Sequence, residues 1–290
     1  MLLEKTKEYF ITRYSLVPDS QIDLASLAGV TKEQKFYNWI SSFSEQKRID
    51  TICRGKNYTL YCNKLSDESF FITFAKELTQ TIGEKTETGI IDKEIKNYQK
   101  CNILVNIPNQ WMIIEKCSEI SSKIEHQTNI IASVIGIFLE AFDLCFELNI
   151  LTEENNFWHY VSQHKDTITD VDITLVSPNF LGAIKTVTEF LNATKDKYNT
   201  TSIDLHLKNN DGKLKIDSNN EFLKDVVKYS SAGGGKWKIK SSADKKGYSN
   251  MENPFIISLP DELSQLKDSD LQAIEGAYAK AKHFDSEHRR

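Results

Sequence analysis

Residues 229–247 read YSSAGGGKWKIKSSADKKG, three consecutive glycines ahead of a run in which lysine alternates with tryptophan and isoleucine. Two chemistries suit such a stretch. A glycine-rich backbone beside a lysine can cradle phosphate, and a row of lysines on one strand face can neutralise several phosphates without reading bases. The cradle requires G-x-x-x-x-G-K-[ST] between a strand and a following helix. Here Lys236 is followed by Trp237, and the glycines come after an amphipathic helix and lead into a strand. The order predicts a helix C-terminal cap and a turn instead. In the strand that follows, alternation sends Lys236, Lys238 and Lys240 to one side and Trp237 and Ile239 to the other. Lys245 and Lys246 add charge downstream, with only Asp244 against them. These five lysines fit contacts to a nucleic-acid backbone, or protection of an exposed edge strand from pairing with another chain.

Other reactive residues are less well arranged. A metal-dependent nuclease wants a carboxylate on one strand and D/E-x-K on the next, so that two carboxylates hold Mg²⁺ and the lysine orients water. Asp172 or Asp204 with Asp211-Gly212-Lys213 is the nearest fit, and that D-x-K reads as turn chemistry. The six histidines form no H-E-x-x-H, and His159 and His164 fall off a common helix face. No serine occupies a nucleophile elbow. Five cysteines, Cys53, Cys62, Cys101, Cys117 and Cys145, occur without a C-x-x-C pair and read as buried free thiols. No catalytic residue, metal ligand or cofactor is assigned.

The elements that position these residues follow from periodicity. Residues 7–17 read as a strand closed by Pro18, and residues 31–47 as an amphipathic helix with Thr31 as its cap and Phe36, Trp39, Ile40 and Phe43 on one face. NYTLYC (57–62) and SFFITFA (69–75) form one predicted hairpin, and CNILVNI with WMIIEKC a second around Pro108. Residues 118–142 thicken into a core helix in which Gly136 costs stability unless another backbone approaches it. DVDITLVS (170–177), a helix opening at Pro178 and TSIDLHLK (201–208) suggest a crossover unit. An Asp-Gly turn at 211–212 predicts a hairpin with KLKI, a helix spans 220–230, KWKIK and PFIISL read as strands, and a helix over 267–284 closes the chain before a frayed DSEHRR tail.

The 290 residues, 40% hydrophobic and 27% charged, suit a water-soluble globular protein with a sizeable core. The start lacks the apolar core of a signal peptide, and the longest apolar run, 130–142, is short for a membrane span and is broken by Glu140. A cytoplasmic location is expected. A net charge of −5 argues against indiscriminate coating of nucleic acid but leaves room for a local basic patch. The expected architecture is α+β: a hairpin-rich N-terminal half over 1–150, and a C-terminal half over 168–290 with a strand-helix-strand unit, the Asp-Gly hairpin and the basic strand.

The order of KNYTLYCNKLSDESFFITF, CNILVNIPNQWMII, DVDITLVSPNFLGAIKTVTEF and IDLHLKNNDGKLKI resembles the layout of the DNA-binding protein of the lambda-type Rex exclusion system and of relatives carried by prophages and defence islands. The resemblance spans most of the chain through element order. It implies a non-enzymatic phage-defence component, a homodimer that binds DNA through sequence-indifferent backbone contacts and works with a membrane effector, with no small-molecule substrate. The glycine–lysine segment departs from that layout, so no DNA-contact residue carries over to this chain. A metal-dependent nuclease and an adaptor that binds only protein are the alternatives.

Overall fold

Strand β1 (Thr6–Pro18) is buried on both faces, which explains its nearly continuous aromatic and β-branched composition. Phe10, Tyr14 and Leu16 enter one core, and Tyr9 and Ile11 a second core on the opposite side. The computed structural model describes residues 5–18, 30–176, 184–261, 263 and 268–289. Among these are six α-helices and twelve strands in a mixed α+β fold.

Thr31 caps α1 (Lys32–Gln46) by accepting from the Gln34 N–H at 3.2 Å, and Phe36, Trp39, Ile40 and Phe43 are its buried face, as the spacing predicts. The chain then runs antiparallel through β2 (Arg48–Cys53), β3 (Lys56–Ser66), β4 (Ser69–Thr86), β5 (Gly89–Asn106) and β6 (Trp111–Glu115). Both predicted hairpins form. They are β3–β4 and β5–β6, and a third, long hairpin that the apolar runs do not announce joins them, β4 and β5 staying paired from Ser69↔Asn106 to Thr86↔Gly89. The outer part of this ribbon stands clear of the body, with Ile82, Ile90, Ile91 and Tyr98 exposed.

Helix α2 (Ile124–Leu139) packs its Ile131, Val134, Ile135 and Leu139 on the first core. Among the described residues no backbone approaches Gly136: a Cβ there would meet nothing within 4 Å, because the residue faces an open cleft. Strand β7 (Leu144–Ile150) returns to pair with β1 from Thr12↔Ile150 to Pro18↔Leu144. The polar stretch after it, which lacks clear period in the sequence, contains α3 (Glu154–Gln163), anchored by Phe157, Tyr160 and Val161 in a third core.

That third core underlies a four-stranded sheet of order β11-β10-β8-β9. Its members are β8 (Ile168–Val176), β9 (Ser202–Lys208), β10 (Gly235–Ser241) and β11 (Asp244–Ser249), with α4 (Lys185–Tyr198) and α5 (Glu221–Tyr229) against its apolar face. The helix start expected at Pro178 lies outside the described residues. Strand, helix and strand follow one another as expected, but β8 and β9 are antiparallel neighbours, with Val176 opposite Ser202. The intervening chain comes back to the end of the sheet it left, so this is no crossover. The Asp-Gly hairpin does not form either. Gly212 takes the turn at φ +70°, yet Leu214 and Ile216 pack on the third core instead of continuing a strand, and the Leu214 N–H donates to Ile168 O at 3.2 Å. Burial of the two apolar side chains outweighs local turn chemistry.

The chain crosses the division drawn at 150 and 168. Strand β12 (Ile256–Pro260) pairs with β1 in the larger sheet, and α6 (Asp268–Arg289) places Ile274, Ala277, Ala281 and Phe284 in the second core. The larger, half-barrel sheet thus has α1 and α2 on one face and α6 on the other. The tail expected to fray is helical through Arg289, and Asp285 within it is buried. Among the described residues no helix is long and apolar enough to cross a membrane.

Candidate nucleic-acid interface

The three glycines are a packing device. Asn220 caps α5 by accepting from the Leu223 N–H at 3.0 Å, and the helix widens at its end into a single π-turn, Ser230–Gly234, in which Gly233 sits at φ +85°. A Cβ on Gly234 would fall inside the Tyr229 ring, and one on Gly235 inside the carbonyl oxygen of Thr174. Gly235 therefore lets β10 close onto β8. The whole segment from Ser230 to Gly235 is buried, so its amides face protein and not a phosphate.

Beyond the glycines the predicted alternation holds. Trp237 and Ile239 are buried, with the indole edge-on to Phe157 at 5.2 Å between ring centroids, while Lys238 is exposed and Lys236 and Lys240 are half-buried on the opposite face. The edge-strand reading does not hold. Strand β10 is interior, hydrogen-bonded to β8 on one side and β11 on the other. An unpaired edge is therefore not what Lys236, Lys238 and Lys240 guard, whereas Lys245 and Lys246 lie on β11, which ends the sheet.

Register supplies the neighbours. Across the open face Lys236 lies opposite Thr174 and then Asp204, Lys238 opposite Asp172 and then His206, and Lys240 opposite Asp170 and then Lys208. The lysines thus alternate with carboxylates. Lys240 reaches Asp172 at 3.8 Å, Asp172 also bonds the His206 Nδ1, and the Thr174 hydroxyl donates to Asp204 at 2.7 Å. Lys246, on β11, pairs with Glu252 at 3.2 Å. Lys245 lies on the same strand, and its side chain is outside the described set. Lys208 and His206 were not singled out in the sequence, although the alternation of SIDLHLK carries the signal: Ser202, Asp204, His206 and Lys208 share the open face.

The nuclease constellation is not assembled. Asp172 and Asp204 sit on adjacent strands, but Asp211 and Lys213 lie past the end of β9 in a turn, where the Asp211 N–H donates to Asn209 at 2.9 Å. Among the described residues no three His, Cys, Asp or Glu side chains converge into a set able to hold a metal ion. None of the five cysteines is in a disulfide; Cys53, Cys62 and Cys101 are buried as expected, whereas Cys117 is half-buried and Cys145 exposed.

At its β8 end the lysine face borders a cleft of about 810 Å³, walled by α2 and the β2–β3 turn on one side and by β7 and the small sheet on the other. Lys236 and Arg54 bring positive charge to it, and Glu140 and Glu147 negative charge. Glu147 meets water but is hemmed in by the cleft walls, and that desolvation holds its carboxyl above the ordinary carboxylate range while Lys236 pulls it back down. No protein-family model matches the chain, and no curated protein matches it significantly.

Proposed function

We propose that the protein is a non-enzymatic DNA-binding component of a phage-defence system of the Rex exclusion type, acting in the cytoplasm as a homodimer beside a membrane effector. The observation that carries the DNA contact is the division of β10. Its apolar side chains are locked into the third core, and its three lysines, Lys238 exposed and Lys236 and Lys240 half-buried, face away from that core. Lys208 joins them from β9. Lysines spaced along a strand meet phosphates as point charges and carry no sequence information. The interleaved Asp170, Asp172 and Asp204 repel phosphate, which limits the affinity such a face can reach, while each phosphate that a lysine neutralises makes the binding sensitive to salt. Mobility of a generic duplex on a gel at low and at moderate salt tests this reading: retardation that fades as salt rises supports it, and free duplex at low salt overturns it. Plasmid incubated with Mg²⁺ or Mn²⁺ distinguishes a nuclease.

The same carboxylates favour a second reading, an adaptor that binds only protein. A face of mixed charge is typical of a protein contact rim, and the free β4–β5 ribbon with Ile82, Ile90 and Ile91 exposed offers an apolar surface to a partner. Pull-down of a defined partner by a protein that leaves DNA unshifted would select it.

A further inference from the structure

We propose that the cleft between α2, β7 and the small sheet binds a nucleoside monophosphate. Its volume of about 810 Å³ lies within the range of small-molecule sites. Three features of its lining point to a ligand, and the first two are otherwise costly.

The first is Gly136. It interrupts the apolar run IIASVIGIFL in the middle of α2, where glycine destabilises a helix relative to alanine. A glycine there is usually explained by close approach of another backbone, but a Cβ would meet nothing within 4 Å. What the missing side chain preserves is the space in front of it, which is the cleft.

The second is Asn149. Alternation along β7 turns Cys145, Glu147 and Asn149 to the cleft side, while Phe146 and Leu148 enter the first core. Both polar atoms of the Asn149 side chain are buried and neither has a hydrogen-bond partner, a rare state for a buried amide. An amide offers a donor and an acceptor side by side, the pattern that meets the N6/N7 edge of adenine in a paired hydrogen bond. The amide belongs to the cleft lining and is itself fully buried, so binding of a base has to include a shift of the atoms that cover it.

The third is charge. Arg54, donating to the Ser133 hydroxyl of α2 at 3.2 Å, stands on one wall and Lys236 on the other. Two cations suit one phosphate group. Glu140 and Glu147 accept hydrogen bonds from ribose hydroxyls and repel further phosphates, which selects a monophosphate over a di- or triphosphate. No local motif announces the site, because its residues come from separate elements.

Calorimetry and thermal melting of the full chain with AMP, GMP, CMP and UMP, with adenosine and inorganic phosphate as partial ligands, test the proposal. Mass spectrometry of Cys145 alkylation localises the event, since this thiol is exposed on the cleft wall. AMP is expected to bind tightest, to raise the melting temperature and to slow alkylation of Cys145 but not of Cys117. Gly136→Leu, which fills the cleft, should abolish binding without loss of the folded state. Arg54→Gln, on an exposed turn, should weaken AMP by about tenfold or more and leave adenosine unchanged. Neither residue belongs to the lysine face, so duplex retardation by both variants should equal that of the parent, and failure of one reading does not imply failure of the other. No heat and no melting shift with any monophosphate at millimolar concentration overturns the proposal, as do AMP binding that survives Gly136→Leu, Cys145 left unprotected, or inorganic phosphate binding as tightly as AMP.

Discussion

The guanidinium of Arg13 meets the carboxylate of Asp285 at 2.6 Å, with both side chains buried and the two residues near opposite ends of the chain. The same guanidinium donates through Nε to the carbonyl of Ala232 at 2.9 Å and through Nη1 to that of Asn109 at 3.3 Å. One side chain on β1 therefore ties together α6, the π-turn that opens the basic strand and the β5–β6 turn. Removing one member of a buried pair strands the other charge in a low-dielectric site. Arg13→Met should cost about 3–5 kcal/mol in urea denaturation. The double variant Arg13→Met, Asp285→Leu should recover much of that loss, and an equal or larger loss in the double variant would show that the pair itself stabilises.

The two faces of β10 should separate binding from folding. Lys236, Lys238 and Lys240 changed together to glutamine should leave the melting temperature nearly unchanged and lower the salt slope of duplex binding by about one unit per lost phosphate contact. Trp237→Ala should instead cost about 3–5 kcal/mol, because the buried indole packs against Phe157 and Tyr248. Unchanged affinity and slope in the folded triple variant would remove the lysines from the interface.

Gly235→Ala sets a methyl group against the Thr174 carbonyl of the neighbouring strand, a backbone atom that cannot step aside. A loss of about 1–3 kcal/mol is expected from such overpacking, measured by chemical denaturation. Gly136→Ala should do the opposite and gain about 0.5–1 kcal/mol, since its methyl meets open space and the helix loses a flexible residue.

Glu147 gives stability a pH dependence of known sign. Desolvation by the cleft walls raises its carboxyl above the ordinary 4.5, with Lys236 acting in the other direction. The folded state then holds the proton more tightly than the unfolded chain, so this group favours folding below the ordinary value and ceases to do so as pH climbs through the raised one. Glu147→Gln should melt with the parent below pH 4.5 and above it at neutral pH, the gap opening from 4.5 upward. A constant gap at all pH values would assign the effect to packing.

Local physics wrote much of this protein into its sequence. The cap at Thr31, the helical spacing of Phe36, Trp39, Ile40 and Phe43, the hairpin around Pro108 and the two faces of GKWKIKS all depend on residues a few positions apart, and all appear where that spacing puts them. The partners of those elements did not follow. Whether β10 is an edge or an interior strand depends on β11 and β8 finding it, and the sequence of β10 reads the same in either place. The Asp-Gly turn forms without its hairpin because Leu214 and Ile216 gain more by burial against the third core than by continuing a strand. The union of α6 with β1 through Asp285 and Arg13, and the cleft that gathers Arg54, Gly136, Asn149 and Lys236, join residues far apart in the chain. Such contacts form only when burial of whole apolar faces outweighs the entropy of closing long loops, a balance that the tertiary structure decides and that no local pattern of residues encodes.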